Sequence, residues 1–137
     1  MKTYNLFVSH SWAYGNQYDR LVTLLSARPY FRFRNHSVPR YDPIHLTRSD
    51  VRLRRAIRER MAGCHAVLIL AGVYSTYSKW INIEIRLALT GFSQPKPIIA
   101  IAPWGSRRTS SFVKLVANEV VGWNTESVVR AIRNHAL

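Results

Sequence analysis

Glu84 is the residue of this 137-residue chain whose type and position best suit chemistry. It is the only acidic residue between Arg60 and Asn118. Helical spacing would place it on one face with Trp80, four residues before it, and with Leu87, three residues after it. A carboxylate in such an apolar stripe costs free energy unless it is paired or has a function. A fixed anion in a water-poor cleft is suited to stabilising a positively charged transition state.

Two structural roles for Glu84 stay open on the sequence alone. In the first, the carboxylate forms an ion pair with Arg86 or with another nearby arginine. In the second, it is a partly exposed acid on a helix surface. The direction of its pKa shift is also open, because desolvation raises the pKa of a carboxyl group and surrounding cations lower it.

A second group of polar residues follows the first strand-like segment. Ser9, His10 and Ser11 stand at its end, where hydroxyls and backbone N–H groups suit phosphate binding. Ordinary turn chemistry explains the same three residues equally well. His10 is a poor base for a serine nucleophile, because no acid is placed to orient it. Trp12 lies in the same polar segment and is a candidate for a role at the surface.

Strand-like and helix-like segments alternate along the whole chain, which predicts an α/β fold with helices on both sides of a parallel sheet. The all-apolar segments Ala66–Ala71 and Pro97–Ala102 are typical of central strands, whereas Phe31–Val38 and Val120–Val121 are expected at the edges. The pattern fits a flavodoxin-like, three-layer, five-stranded sheet of order 2-1-3-4-5, with residues 1–137 as a single domain. The other predicted elements are a strand at Tyr4–Val8 and helices at Gln17–Ala27, Ser49 or Asp50 to Ala62, Lys79–Thr90, Ser110–Asn118 and Thr125–His135, the last capped by Thr125.

This strand order predicts where a ligand would bind. Strands 1 and 3 are neighbours whose connections leave on opposite faces, and the crevice at their carboxyl ends is the usual ligand site of such sheets. The segments that meet there are Ser9–Trp12, Gly72–Ser78 and the start of the helix that carries Glu84. The sequence therefore places both groups of candidate residues at one edge of the sheet.

Two stretches of the chain carry a resemblance to a known family. Ser78–Ile85 resembles the Trp-x-x-x-Glu signature of TIR domains that cleave NAD, with Trp80 and Glu84 at the two defined positions. Leu6–Trp12 resembles the opening of the TIR-like subunit of Thoeris anti-phage defence systems. The match in element order covers almost the whole chain.

The resemblance implies an enzyme that cleaves NAD⁺ as its substrate and uses no cofactor. Glu84 matches the family's glutamate, which contacts the nicotinamide-side ribose and stabilises positive charge as the glycosidic bond breaks. The product would be an ADP-ribose-derived nucleotide, cyclised or conjugated, which activates a separate effector protein. The substrate-binding residues in this interpretation are Phe7, Ser9, His10, Ser11, Trp12 and Trp80, although a tryptophan on an apolar helix face such as Trp80 is more often part of a core.

Other functions compete with this one. The main alternative is a TIR-like interaction module without activity, which assembles with itself or with a partner. Arg40–Arg48 occupies the place of the TIR assembly loop, a segment that in relatives mediates self-association or gates the cleft. A phospho-receiver is excluded, because the chain has Ser9–Ser11 and Ala71–Gly72 where that chemistry needs carboxylates. A flavin-binding protein is a further alternative, against which a colourless preparation would count.

The composition bounds the partners and the location. Twenty Lys and Arg against seven Asp and Glu give a net charge of +13, so the protein attracts polyanions. No recognisable nucleic-acid motif accompanies this charge, and a solvated basic face or an acidic partner explains it as well. One cysteine, Cys64, excludes an internal disulfide and suits a reducing cytoplasm, and the scattered histidines have no metal-ligand spacing. No apolar stretch is long enough to cross a bilayer, so we expect a cytoplasmic protein.

Overall fold

Strands and helices alternate through the computed structural model, which describes residues 2–9, 16–37, 49–70, 79–102 and 111–137. The strands are β1 (Thr3–Val8), β2 (Arg32–Asn35), β3 (Ala66–Leu70), β4 (Ile98–Ile101) and β5 (Glu119–Val121). The helices are α1 (Asn16–Ala27), α2 (Asp50–Met61), α3 (Lys79–Thr90), α4 (Ser111–Val116) and α5 (Thr125–His135).

The five strands form one parallel sheet in the order β2-β1-β3-β4-β5. This confirms the predicted flavodoxin-like order. Val8 of β1 pairs with Leu68 of β3, so the two strands end side by side at the carboxyl edge of the sheet. The crevice that the strand order predicts is therefore bounded by the exits of β1 and β3.

Alternation along the central strands divides the apolar residues between two cores. On one face Phe7, Val67 and Ile69 pack with buried residues of α2, α3 and α4. On the other face Leu6, Val8 and Leu68 pack with α1 and α5. Because β3 and β4 are covered on both faces, they tolerate no polar side chain, and this explains their continuous apolar sequence.

Two predicted ends and one predicted cap differ from the structure because of a polar side chain, and the other boundaries agree within one residue. The second strand ends at Asn35, since its Oδ1 accepts the backbone N–H of Ser37 and turns the chain. The fourth helix ends at Val116, and Asn118 instead pairs its Oδ1 with the backbone N–H of Ile98. Asn124, and not Thr125, caps α5, with its Oδ1 accepting from the Ser127 N–H at 3.0 Å.

Of the two residues predicted to begin α2, Ser49 is the cap. Its Oγ accepts a hydrogen bond from the backbone N–H of Arg52 at 3.3 Å, and Asp50 lies in the first helical turn. Most of the predicted loop before it, including Arg40–Arg48, lies outside the described residues. None of the helices in the described ranges has the length and hydropathy needed to cross a bilayer.

His65 joins β1 to the start of β3 through a contact that is sensitive to acid. Its Nδ1 accepts a hydrogen bond from the backbone N–H of Asn5 at 2.9 Å, which a ring protonated on both nitrogens cannot do. Burial lowers the pKa of His65, and the positive charges of Lys2, Lys96 and His36 lower it further.

We expect the free energy of unfolding to fall as the pH drops through the pKa of folded His65. The unfolded chain binds this proton more readily, so the contribution of neutral His65 is present above the ordinary histidine pKa and is lost below the folded one. His65→Gln should flatten the dependence of urea-unfolding free energy on pH between about pH 7 and pH 5. His135→Gln, on a ring that contacts Glu119 instead, is the control. An unchanged pH dependence in His65→Gln would contradict the assignment.

Candidate functional site

The first two turns of α3 form the centre of the candidate site. Ile81, Ile85 and Ala88 recur at helical spacing and are all fully buried, which holds α3 against the sheet. Because α3 follows β3, its first residue lies towards the carboxyl edge of the sheet. Glu84 stands five residues into the helix and is therefore carried on the half of α3 nearer that edge.

Glu84 is 0% exposed, as are Leu87 and Ala88 on the same helix face. The interpretation of Glu84 as a partly exposed surface acid is therefore wrong. Arg86 is exposed, and two residues of helix place it on the side of α3 away from Glu84. Glu84 takes part in at least one polar or electrostatic interaction within the fold.

The side chains of Phe7 and Ser9, at the end of β1, face the side of the sheet that α3 covers. Phe7 is 1% exposed and belongs to the core that includes Ile81 and Ile85. Ser9 is also fully buried, and its backbone N–H donates to the Leu68 carbonyl at 3.0 Å. Side chains alternate along an extended chain, so Ser9 points to the same face as Phe7.

The structure thus brings three of the predicted residues, Glu84, Phe7 and Ser9, to one face at the carboxyl half of the sheet. His10, Ser11 and Trp12 lie outside the described residues, and so does the side chain of Trp80, whose backbone forms the first turn of α3. Their roles in substrate binding stay predictions. Phe7 packs as a core residue, and its contact with a substrate also stays a prediction.

A polar network at the carboxyl end of β2 was not predicted from the sequence. The hydroxyl of Tyr18 on α1 lies 2.7 Å from Ser37 Oγ, and both groups contact the side-chain amide of Asn35. The network ties the first turns of α1 to the end of β2, next to the exit of β1. The available signal was the pair of polar residues, Asn35 and Ser37, directly after a strand.

A groove of about 640 Å³ opens on the opposite face, between α1 and the start of α5. Its lining includes the apolar side chains of Leu24 and Trp123 and the charged side chain of Arg20. Glu84 does not line this groove. The groove is therefore separate from the candidate site on the α3 side of the sheet.

Other reactive groups of the described residues do not form a catalytic centre. Burial raises the pKa of the Cys64 thiol to about 12, so this cysteine stays protonated and is a poor nucleophile at neutral pH. Within the described ranges, no group of three His, Cys, Asp or Glu side chains could hold a metal ion. Among these residues, the buried carboxylate of Glu84 is the group best suited to catalysis.

Comparison with known proteins is consistent with this geometry. A family model described as the TIR-like domain of Thoeris protein ThsB matches residues 7–108, about three quarters of the chain. The match begins at Phe7 in β1, includes Ser9 and Glu84, and extends beyond β4. No curated protein is significantly similar to the chain.

Proposed function

The chain belongs to the TIR-like domain family of Thoeris protein ThsB, and from this premise we propose that it cleaves NAD⁺ in Thoeris defence. The proposed product is an ADP-ribose-derived nucleotide that signals to a separate effector protein. The observation that carries the proposal is the full burial of Glu84 on α3, at the half of the helix nearer the carboxyl edge of the parallel sheet.

Burial matters because it strengthens the effect of a fixed charge. A carboxylate removed from water interacts more strongly with a nearby positive charge than one in solvent does. Cleavage of the nicotinamide glycosidic bond leaves positive charge on the ribose, so Glu84 would stabilise the transition state more than the ground state. The free energy of burying the acid would then be offset by its function.

The reaction needs no strong general acid. When the bond between ribose C1′ and the pyridinium nitrogen breaks, its electron pair returns to the nitrogen and nicotinamide leaves as a neutral molecule. The ribose becomes oxocarbenium-like and faces the Glu84 carboxylate. A hydroxyl of the substrate, a small acceptor or water then adds to C1′ and loses its proton, which gives the cyclised, conjugated or hydrolysed product.

Access to Glu84 sets a condition on this mechanism. The carboxylate is 0% exposed, so a ribose can reach it only when the side chains that cover it move on substrate binding. Such rearrangement is common where a site must exclude water during the reaction. In this proposal Ser9, which is buried on the same face, contacts the nucleotide once the crevice opens.

The test is to identify nucleotides in phage-challenged cells that express the chain. We expect NAD⁺ to fall and nicotinamide to rise, with a new ADP-ribose-containing nucleotide detected by mass spectrometry. Protein-free extracts of these cells contain the nucleotide, so they should activate the effector protein when they are added to it. Protection from phage with unchanged NAD⁺ and no new nucleotide would refute the enzyme and support the non-catalytic assembly module.

A further inference from the structure

α2 concentrates positive charge on its solvent side. Five of its twelve residues are arginines, and all five are exposed, whereas Leu53, Ile57 and Met61 on the other side are buried in the core. Asp50 and Glu59 are the acidic residues of the helix. The arginines are Arg52, Arg54, Arg55, Arg58 and Arg60.

The fold itself makes little use of this charge. Arg58 donates from Nε to the Gly91 carbonyl at 3.3 Å and stacks over the Phe92 ring, which joins α2 to the end of α3. The side chains of the other four make no hydrogen bond or ion pair within the described residues. Like charges three or four residues apart, such as Arg52 and Arg55, destabilise a helix. The repulsion between these arginines therefore destabilises α2, and the packing of the helix does not depend on them.

The edge strand β2 adds two more arginines on the same side of the sheet. Phe31 and Phe33 point into the core beneath α1 and α5. Arg32 and Arg34, at the alternate positions, therefore point to the face that α2 covers, and both are exposed. Since α2 packs on β1, the strand next to β2, the two sets of arginines lie on the same side of the sheet, and we call them together the α2–β2 surface.

We propose that the α2–β2 surface binds the phosphate backbone of a nucleic acid. Guanidinium groups bind phosphate oxygens with two parallel hydrogen bonds, and the surface uses arginine throughout. The twelve residues of α2 span about 18 Å, long enough to contact several successive phosphates. This inference is independent of NAD⁺ cleavage.

An acidic protein is the less suitable occupant of this surface. Stable protein interfaces bury an apolar or aromatic centre, and such residues dominate their binding energy. Val51 is the large apolar residue of α2 that is strongly exposed, and no aromatic residue accompanies it on the helix. Binding to a phosphodiester backbone depends mainly on exposed cations, which the surface provides.

The experiment measures binding of a fluorescent 20-base-pair duplex by the full chain as a function of salt. We expect the slope of log K against log salt to be near −4 to −5, as for about five phosphate contacts, with little dependence on sequence. Arg52→Gln/Arg55→Gln should make the slope shallower by about 2 and weaken binding at least about tenfold at low salt. The matched control is Arg20→Gln/Arg130→Gln, which removes two exposed arginines from the opposite face.

Circular dichroism first establishes that both double variants are folded. If the two double variants weaken duplex binding equally, the α2–β2 surface is not the binding site, and the binding arises from the net charge of the protein. Stronger binding of poly-glutamate than of duplex would overturn the nucleic-acid assignment in favour of an acidic protein. The proposal also fails if the duplex shows no saturable binding at about 50 mM salt.

Discussion

Replacing Glu84 with glutamine should lower NAD⁺ cleavage by at least about 100-fold, because the substitution removes the fixed negative charge. The volume of the side chain hardly changes. A factor of this size corresponds to about 2.7 kcal/mol of transition-state stabilisation. The measurement is nicotinamide released per amount of protein in extracts of phage-challenged cells, so that any infection-derived trigger is present. Substrate affinity should change less than turnover, since the carboxylate acts on charge that develops in the transition state.

The control for this prediction is Glu59→Gln, which neutralises an exposed acid on α2 and should leave nicotinamide release within about twofold. Thermal unfolding of Glu84→Gln separates chemistry from stability, because neutralising a buried acid can alter both. A folded Glu84→Gln protein that releases nicotinamide at the normal rate would show that Glu84 is a structural residue. A loss of release that matches a loss of folded protein would lead to the same conclusion.

Among the charged side chains, we expect the loss of Lys96 to have the largest effect on the free energy of unfolding. It is only 9% exposed, and its Nζ donates to the Ala62 carbonyl at 2.8 Å and to the Cys64 carbonyl at 3.0 Å. The ammonium also lies over the Phe92 ring. Both carbonyls follow the last turn of α2, so the charge complements the negative end of the helix dipole and connects α2 to β4.

Lys96→Ala should reduce the free energy of unfolding by about 3 kcal/mol, because the buried Cys64 carbonyl and the part-buried Ala62 carbonyl lose a charged donor. For a chain of this length, the melting temperature should fall by about 10 °C. Lys96→Met, which retains the apolar stem, should show most of the same loss if the hydrogen bonds are responsible. Urea and thermal denaturation measure both variants.

Lys114→Ala is the matched control, since Lys114 is an exposed lysine of α4. It should change the free energy of unfolding by no more than about 0.5 kcal/mol. A Lys96→Ala protein as stable as this control would show that water satisfies the two carbonyls and that the buried ammonium adds nothing.

Much of the architecture could be predicted from local patterns. The continuous apolar runs of β3 and β4 are typical of strands covered on both faces, and the polar β2 is typical of an edge. This pattern fits the order 2-1-3-4-5, which the structure confirms. The ends of elements were less predictable. Asn35, Asn118 and Asn124 end or begin elements through side-chain hydrogen bonds to backbone groups, and three-dimensional positions decide which asparagine does so.

The residues of the candidate site could be predicted from the sequence, but their burial and their positions relative to one another could not. Helical spacing alone aligns Glu84 with Leu87 and Ala88, and the structure confirms that this face is buried. The spacing could not distinguish a buried acid from a partly exposed one, because depth depends on the elements that pack over the helix. The same holds for Phe7, whose place in the core depends on α3, more than seventy residues away in sequence.

The class of fold, the family resemblance and the position of a lone acid on an apolar helix face can be recognised in the amino-acid sequence. The full burial of Glu84, and the shared side of the sheet for the arginines of α2 and β2, became clear from the folded protein. The difference arises from the range of the interactions. Periodicity reports which side of its own element a residue occupies, whereas burial and shared surfaces arise from contacts between elements that are distant along the chain.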